Sequence, residues 1–160
     1  MSKRPLTDQQ ILVAKRRKAR HYAMQALYQW KMTKAPINSI ETEFHVDNDF
    51  RKVDADYFKA ILHEVPANLD VIDQTIEQCI TDRDIKDINP VEFSLLRMAV
   101  FELKDRIDTP YKVVINEAVA LAKKFGAEDS HKFVNAVLDK AAREYRAIEV
   151  QANTPKDTNP

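Results

Sequence analysis

Five cations fall within six residues near the start of the chain: Lys15, Arg16, Arg17, Lys18 and Arg20. Like charges this close repel one another on a helix and cost it stability. Phosphates would neutralise them and release counterions. A nucleic-acid contact and a solvated helical face both fit the cluster. Duplex DNA would normally require a helix whose polar face fills the major groove. Cations bunched at one end with rings close behind suit an unpaired strand better, because its bases can stack on aromatic planes. A second group lies far downstream. Asp129, His131, Lys132 and Phe133 follow Gly126, the only glycine of the chain. Phe133 is either a stacking platform beside Lys132 or a core residue of the last helix.

Other chemistry finds little support. A phosphate-cradling loop or dinucleotide fingerprint needs two or three glycines at fixed spacing. The histidines His21, His45, His63 and His131 are far apart and lack metal-ligand spacing. Ser130-His131 has no third group to complete a nucleophilic set. Glu128-Asp129 fits helix capping better than acid–base work. The single cysteine, Cys79, excludes an internal disulfide and reads as a small helix residue. No enzyme, cofactor or metal is expected.

Helices must position these groups. Ala19, Tyr22, Ala23, Ala26, Leu27 and Trp30 recur at spacings of three and four, predicting a helix from about Ile11 to the break before Pro36. Ile37, Ile40 and Phe44 mark a short helix, and His45 to Lys52 reads as loop. Tyr57, Phe58, Ile61, Leu62 and Val65 share the next face, which resumes as Leu69, Ile72, Ile76 and Ile80. Pro66 inside that pattern predicts a kink or a split. Asn89-Pro90-Val91-Glu92 has the make-up of a capping box. The apolar run from Val91 to Leu103 predicts a central helix with neighbours on several sides. Pro110 starts another helix, on which Lys112, Asn116 and Lys123 can project together. Gly126 is placed to end it in a left-handed cap, and Asp129 and Ser130 to start the last helix, which buries Phe133, Val134, Val137, Leu138 and Ala141. No period-two alternation predicts a sheet. The expectation is an all-α single domain of about seven helices over residues 11–148, between flexible tails at 1–10 and 149–160.

The 160 residues carry 44% hydrophobic and 31% charged side chains, enough apolar matter for a substantial core. No apolar run approaches a membrane span, and MSKRPLTDQQ lacks the apolar centre of a secretory signal. The cytoplasm is the expected compartment. Net charge is zero, yet residues 1–34 hold nine Lys/Arg against one acid, and residues 35–108 hold eight against seventeen. Such asymmetry fits a nucleic-acid face at one end and another partner elsewhere.

Three blocks then become recognisable in order: RRKARHYAMQALYQW (Arg16 to Trp30), VEFSLLRMAVFEL (Val91 to Leu103) and YKVVINEAVALAKKFGAEDSHKFVNAVLDKAA (Tyr111 to Ala142). Together they resemble the bacterial transcription antitermination NusB family over about residues 14–145, with FGAEDSHKFVN the most specific stretch. The resemblance implies two roughly perpendicular three-helix bundles with an extra helix, and no catalysis. It implies binding of single-stranded boxA RNA of ribosomal RNA operons together with the ribosomal protein NusE. Other Nus factors and RNA polymerase complete the antitermination complex. Carried over by position, the RNA-binding residues are Arg16, Arg17, Arg20 and Gln25, then Tyr111, Lys112, Asn116, Asp129, Lys132 and Phe133. Phe133 becomes the stacking residue, and Tyr28 and Glu92 match the NusE contact. The family domain also occurs fused to ribosomal RNA cytosine methyltransferases; this chain is expected to be the stand-alone form. A helical protein–protein adaptor, whose basic helix meets an acidic partner, is the alternative.

Overall fold

The computed structural model describes residues 4–153. Among them the chain is all-α: eight α-helices and one 3-10 turn, without strands. Two compact units divide at Asn68. The first holds α1 (Asp8–Thr33), α2 (Ile37–Asp47) and α3 (Ala55–Ala67), which pack mutually as a three-helix bundle. The second holds α4 (Leu69–Cys79), a 3-10 turn at Ile85–Asp87, α5 (Pro90–Asp105), α6 (Tyr111–Phe125), α7 (Ser130–Tyr145) and α8 (Ala147–Asn153). Parts of the two expected tails, residues 1–3 and 154–160, lie outside the described residues; residues 8–10 and 149–153 are helical.

The first helix starts three residues before the apolar period does. Thr7 and Gln10 form a reciprocal capping box, so its polar first turn is held by side-chain bonds rather than by packing. Lys34 closes the helix with φ 58, the only positive φ among the described residues. Ala19, Ala23, Met24, Ala26 and Leu27 bury its inner face. Pro66 sits in the last turn of α3 and the pattern is split at Asn68, whose side chain donates back to the Glu64 carbonyl.

Asn89 opens α5 as expected, with its side chain accepting from the Glu92 amide at 2.8 Å and Glu92 answering at the Asn89 amide. Twelve of the sixteen residues of α5 are buried, because α4, α6 and α7 all pack against it. Arg97 enters this apolar helix only because Asp73 of α4 takes it in a bidentate bridge at 2.9 Å on both arms. A 2.6 Å hydroxyl bond between Thr75 and Tyr145 joins α4 to α7.

The reason for the lone glycine is corrected by its geometry. Gly126 is extended, φ −89 and ψ 176, and needs no left-handed freedom. What it supplies is space: a Cβ there would stand 2.7 Å from the Ala122 carbonyl oxygen and 2.8 Å from Ser130 Cβ. The end of α6 and the start of α7 therefore approach over a bare Cα. Gly126→Ala should destabilise the chain by about 1–3 kcal/mol through forced displacement of backbone. Thermal unfolding checks it; an unchanged midpoint would show that the turn gives way at no cost.

Candidate nucleic-acid interface

The first unit divides the basic cluster into two kinds of cation. Arg16 and Arg20, one helical turn apart, both face the Tyr57 ring of α3, with guanidinium carbons 4.6 and 5.2 Å from its centroid. Arg16 Nε also lies 3.4 Å from Asp54 Oδ2, and the Asp54 amide donates to the Lys15 carbonyl at 3.1 Å. Arg20 is only 3% exposed and donates to the Tyr57 hydroxyl at 3.4 Å. It therefore joins α1 to α3 and cannot present its charge outward as the sequence pattern suggested. Arg17 and Lys18 are exposed, and Lys15 and Arg16 are half-buried. Further along α1, Gln25 is half-buried and Tyr28 exposed. Nearby, Arg51 holds the Asp49 carboxyl down at about 2 by hydrogen bonding, with Lys18 adding to the pull.

The second unit carries the remaining residues on α6 and α7. Lys112, Asn116 and Lys123 are exposed along α6, and Tyr111 is half-buried at its start. Pro110 offers no side-chain cap there. The orphan Tyr111 amide is instead taken by Glu149 of α8, at 3.0 Å. Glu149 is itself held by Arg146 at 3.0 Å. Arg146 is buried and donates to the carbonyls of Glu102, Leu103, Arg106 and Thr109. One guanidinium thus fixes the end of α5, the following turn and the carboxylate that starts α6.

Asp129 precedes α7 but its side chain makes no capping bond. The expected cap is corrected: its φ of −103 and ψ of 7 depart from the extended N-cap geometry that aims a side chain at the first amides. The carboxylate instead meets Lys132 at 3.5 Å, both side chains well exposed. The Ser130 hydroxyl is buried without a hydrogen-bond partner. Phe133 is 9% exposed and belongs to the buried residues of α7. The guanidinium of Arg83, from the connection between α4 and α5, lies over its ring at 3.8 Å. Arg83 also reaches Glu92 at 3.4 Å, and Glu92 is 3% exposed. The Glu92 carboxylate is thereby committed to its capping box and to Arg83.

Sequence reasoning missed Arg83, Arg146 and Glu149. Their decisive partners, the Phe133 ring, the carbonyls ending α5 and the Tyr111 amide, lie far along the chain, so no spacing marks them. A shallow cleft beside Phe133 is lined by Cys79, Arg83, Asp129 and Lys132. Burial pushes the Cys79 thiol up, with Glu144 adding to the effect. Among the described residues no cluster of His, Cys, Asp or Glu could hold a metal, and no helix is long and apolar enough to cross a membrane.

Residues 17–143 match the model of the NusB family. The chain is 54% identical to the transcription antitermination protein NusB of Teredinibacter turnerae over 142 residues, which is 89% of this chain and 97% of that one. Among solved structures it is similar to NusB of T. maritima, with a TM-score of 0.72 and 27% identity over 84% of this chain and 96% of that one. It also superposes on a chain from the crystal structure of the antitermination factors NusB and NusE in complex with dsRNA, with a TM-score of 0.72, 27% identity and coverage of 81% and 96%.

Proposed function

Because the chain belongs to the NusB family, we propose that it is a transcription antitermination factor that binds RNA jointly with a NusE-type ribosomal protein. Its target is the unpaired boxA element of ribosomal RNA operons. The assembly, with other Nus factors and RNA polymerase in the cytoplasm, keeps the polymerase from stopping early. The observation that carries this reading is the cation arrangement of α1. Arg16 and Arg20 are anchored on Tyr57, and Arg17 and Lys18 are turned to solvent. Such a helix offers phosphates a positioned charge pair on a rigid base.

The residues of the second unit read bases. Lys112 and Lys132 supply further phosphate contacts, Tyr111 and Asn116 meet base edges or sugars, and Asp129 steadies Lys132 as a counter-charge. Gln25 extends the contact along α1. Tyr28 and Glu92 belong to the NusE-facing side. Glu92, being buried, serves it through the groups it holds.

Roughly three to five neutralised phosphates predict a slope of log affinity against log salt of about −2 to −3.5 for a single strand. Replacing Arg17 and Lys18 by alanine should flatten that slope by roughly 1 to 1.4. Arg20→Ala should instead lower stability, because it removes a buried hydrogen bond and ring contact that join α1 to Tyr57 of α3. Titrating single- and double-stranded boxA-type RNA at two salt concentrations, with and without NusE, tests the whole reading. An unchanged slope in the double variant would remove α1 from the RNA surface. An adaptor that binds only protein would show no preference among RNA sequences.

A further inference from the structure

The second unit has a ring that a base could stack on, but the ring is not what solvent meets. Phe133 is 9% exposed, and the Arg83 guanidinium lies 3.8 Å from its centroid. A base stacked on that ring face would have to occupy the position the guanidinium already holds. Arg83 itself has a side chain 35% exposed. Its far end reaches Glu92, which is buried and in turn held by the amide of Asn89 in the capping box of α5. The guanidinium is therefore gripped from behind by an aromatic face and at one edge by a carboxylate.

We infer that the stacking surface offered to RNA by the second unit is the guanidinium plane of Arg83, backed by Phe133 and tethered by Glu92, and that its ligand is an unpaired nucleobase. This rests on the RNA-binding reading above. A guanidinium is planar, weakly hydrated and permanently charged, so a base can stack on it as on an aromatic ring. The tether lowers the cost of binding, because the side chain gives up little further rotamer freedom when a base arrives. Phe133 then acts through Arg83 as its backing, and Glu92 as its anchor. The same arrangement ties the residue matched to the protein partner to the residue matched to RNA, through one side chain between them. Asp129 and Lys132 line the same cleft, so a phosphate next to the stacked base would find a cation at hand.

The test uses the full chain with its NusE partner and a short unpaired boxA-type RNA carrying 2-aminopurine at one position at a time. Stacking quenches 2-aminopurine emission. In the wild-type complex at least one position should be quenched, and Arg83→Ala should relieve it and weaken binding by about tenfold or more. Arg83→Lys keeps the charge and loses the plane, so it should remain weak. The loss should be nearly the same at low and high salt, because stacking releases no counterions. Arg83→Ala leaves the buried Glu92 carboxylate without its cation and should lower the unfolding midpoint, whereas Arg83→Lys keeps a charge there and should lower it less, so RNA binding is compared where both variants are fully folded. Restoration by lysine would make Arg83 a phosphate cation and overturn the inference. Equal or tighter binding by Arg83→Ala would overturn it too, showing that the base takes the phenyl ring once its cover is gone. Should the wild-type chain bind no boxA-type RNA with NusE present, the functional reading itself fails, and this inference falls with it.

Discussion

Arg146→Ala should cost the protein about 3–5 kcal/mol of stability, the penalty typical of breaking a buried charged network by removing one partner. The residue is 6% exposed. Its three nitrogens serve four carbonyls and one carboxylate, at distances between 2.7 and 3.5 Å. Three of those carbonyls, on Glu102, Leu103 and Arg106, belong to the end of α5, where the helix dipole favours a cation. Without the guanidinium these oxygens would be left in a space that water enters poorly. Glu149 would lose its partner, and the Tyr111 amide would lose a well-placed acceptor. Thermal unfolding should fall by roughly 6–20 °C for a chain of this size. Lysine has no planar fork to reach several acceptors at once, so Arg146→Lys should recover only part of the loss. A loss below about 1 kcal/mol in Arg146→Ala would mean that the network does not hold the unit together.

Phe133→Ala ranks next and should act on two measurements at once. Removing a ring this deeply buried should lower stability by about 3–5 kcal/mol. It should also weaken RNA binding by about 1–3 kcal/mol, because the stacking surface loses its backing. Phe133→Leu separates the two effects. Leucine keeps most of the volume, so the stability loss should shrink to below about 1.5 kcal/mol. Without an aromatic face, Arg83 loses the ring that backs it, and the RNA loss should persist. Wild-type RNA affinity in the leucine variant would remove the ring from the RNA site. Equilibrium unfolding and RNA titration on the same preparations provide both readings.

Much of the scaffold was legible because its signals are local. Asn89-Pro90-Val91-Glu92 carries a complete helix start within four residues, and α5 begins there. The unbroken apolar run after it announced a helix packed on several sides. Pro66 announced the break realised at Asn68. The beginning of α1 was missed because Thr7 and Gln10 act through capping, in a turn with no apolar period to read. Gly126 was found for the wrong reason. A glycine in a turn suggests unusual backbone angles, and the real demand, clearance over Ser130 and Ala122, comes from packing. Arg20 was grouped with its neighbours because a run of cations looks uniform in one dimension. Only the partner helix, through Tyr57, separates the inward arginines from the outward ones. Arg83 sits in an acid-rich connection and meets a ring 50 residues on, a pairing that no spacing encodes.

The reach of Glu149 to the first amide of α6 also sets an order of manufacture. A ribosome delivers Tyr111 and Lys112 well before Arg146 and Glu149, and nascent chains fold from the leading end as they emerge. Until those last two side chains have left the exit tunnel, α6 lacks its carboxylate cap and the end of α5 its cation. The second unit is thus completed by α8, the last helix among the described residues. A product released early from translation would carry the basic first helix without a finished surface to accompany it.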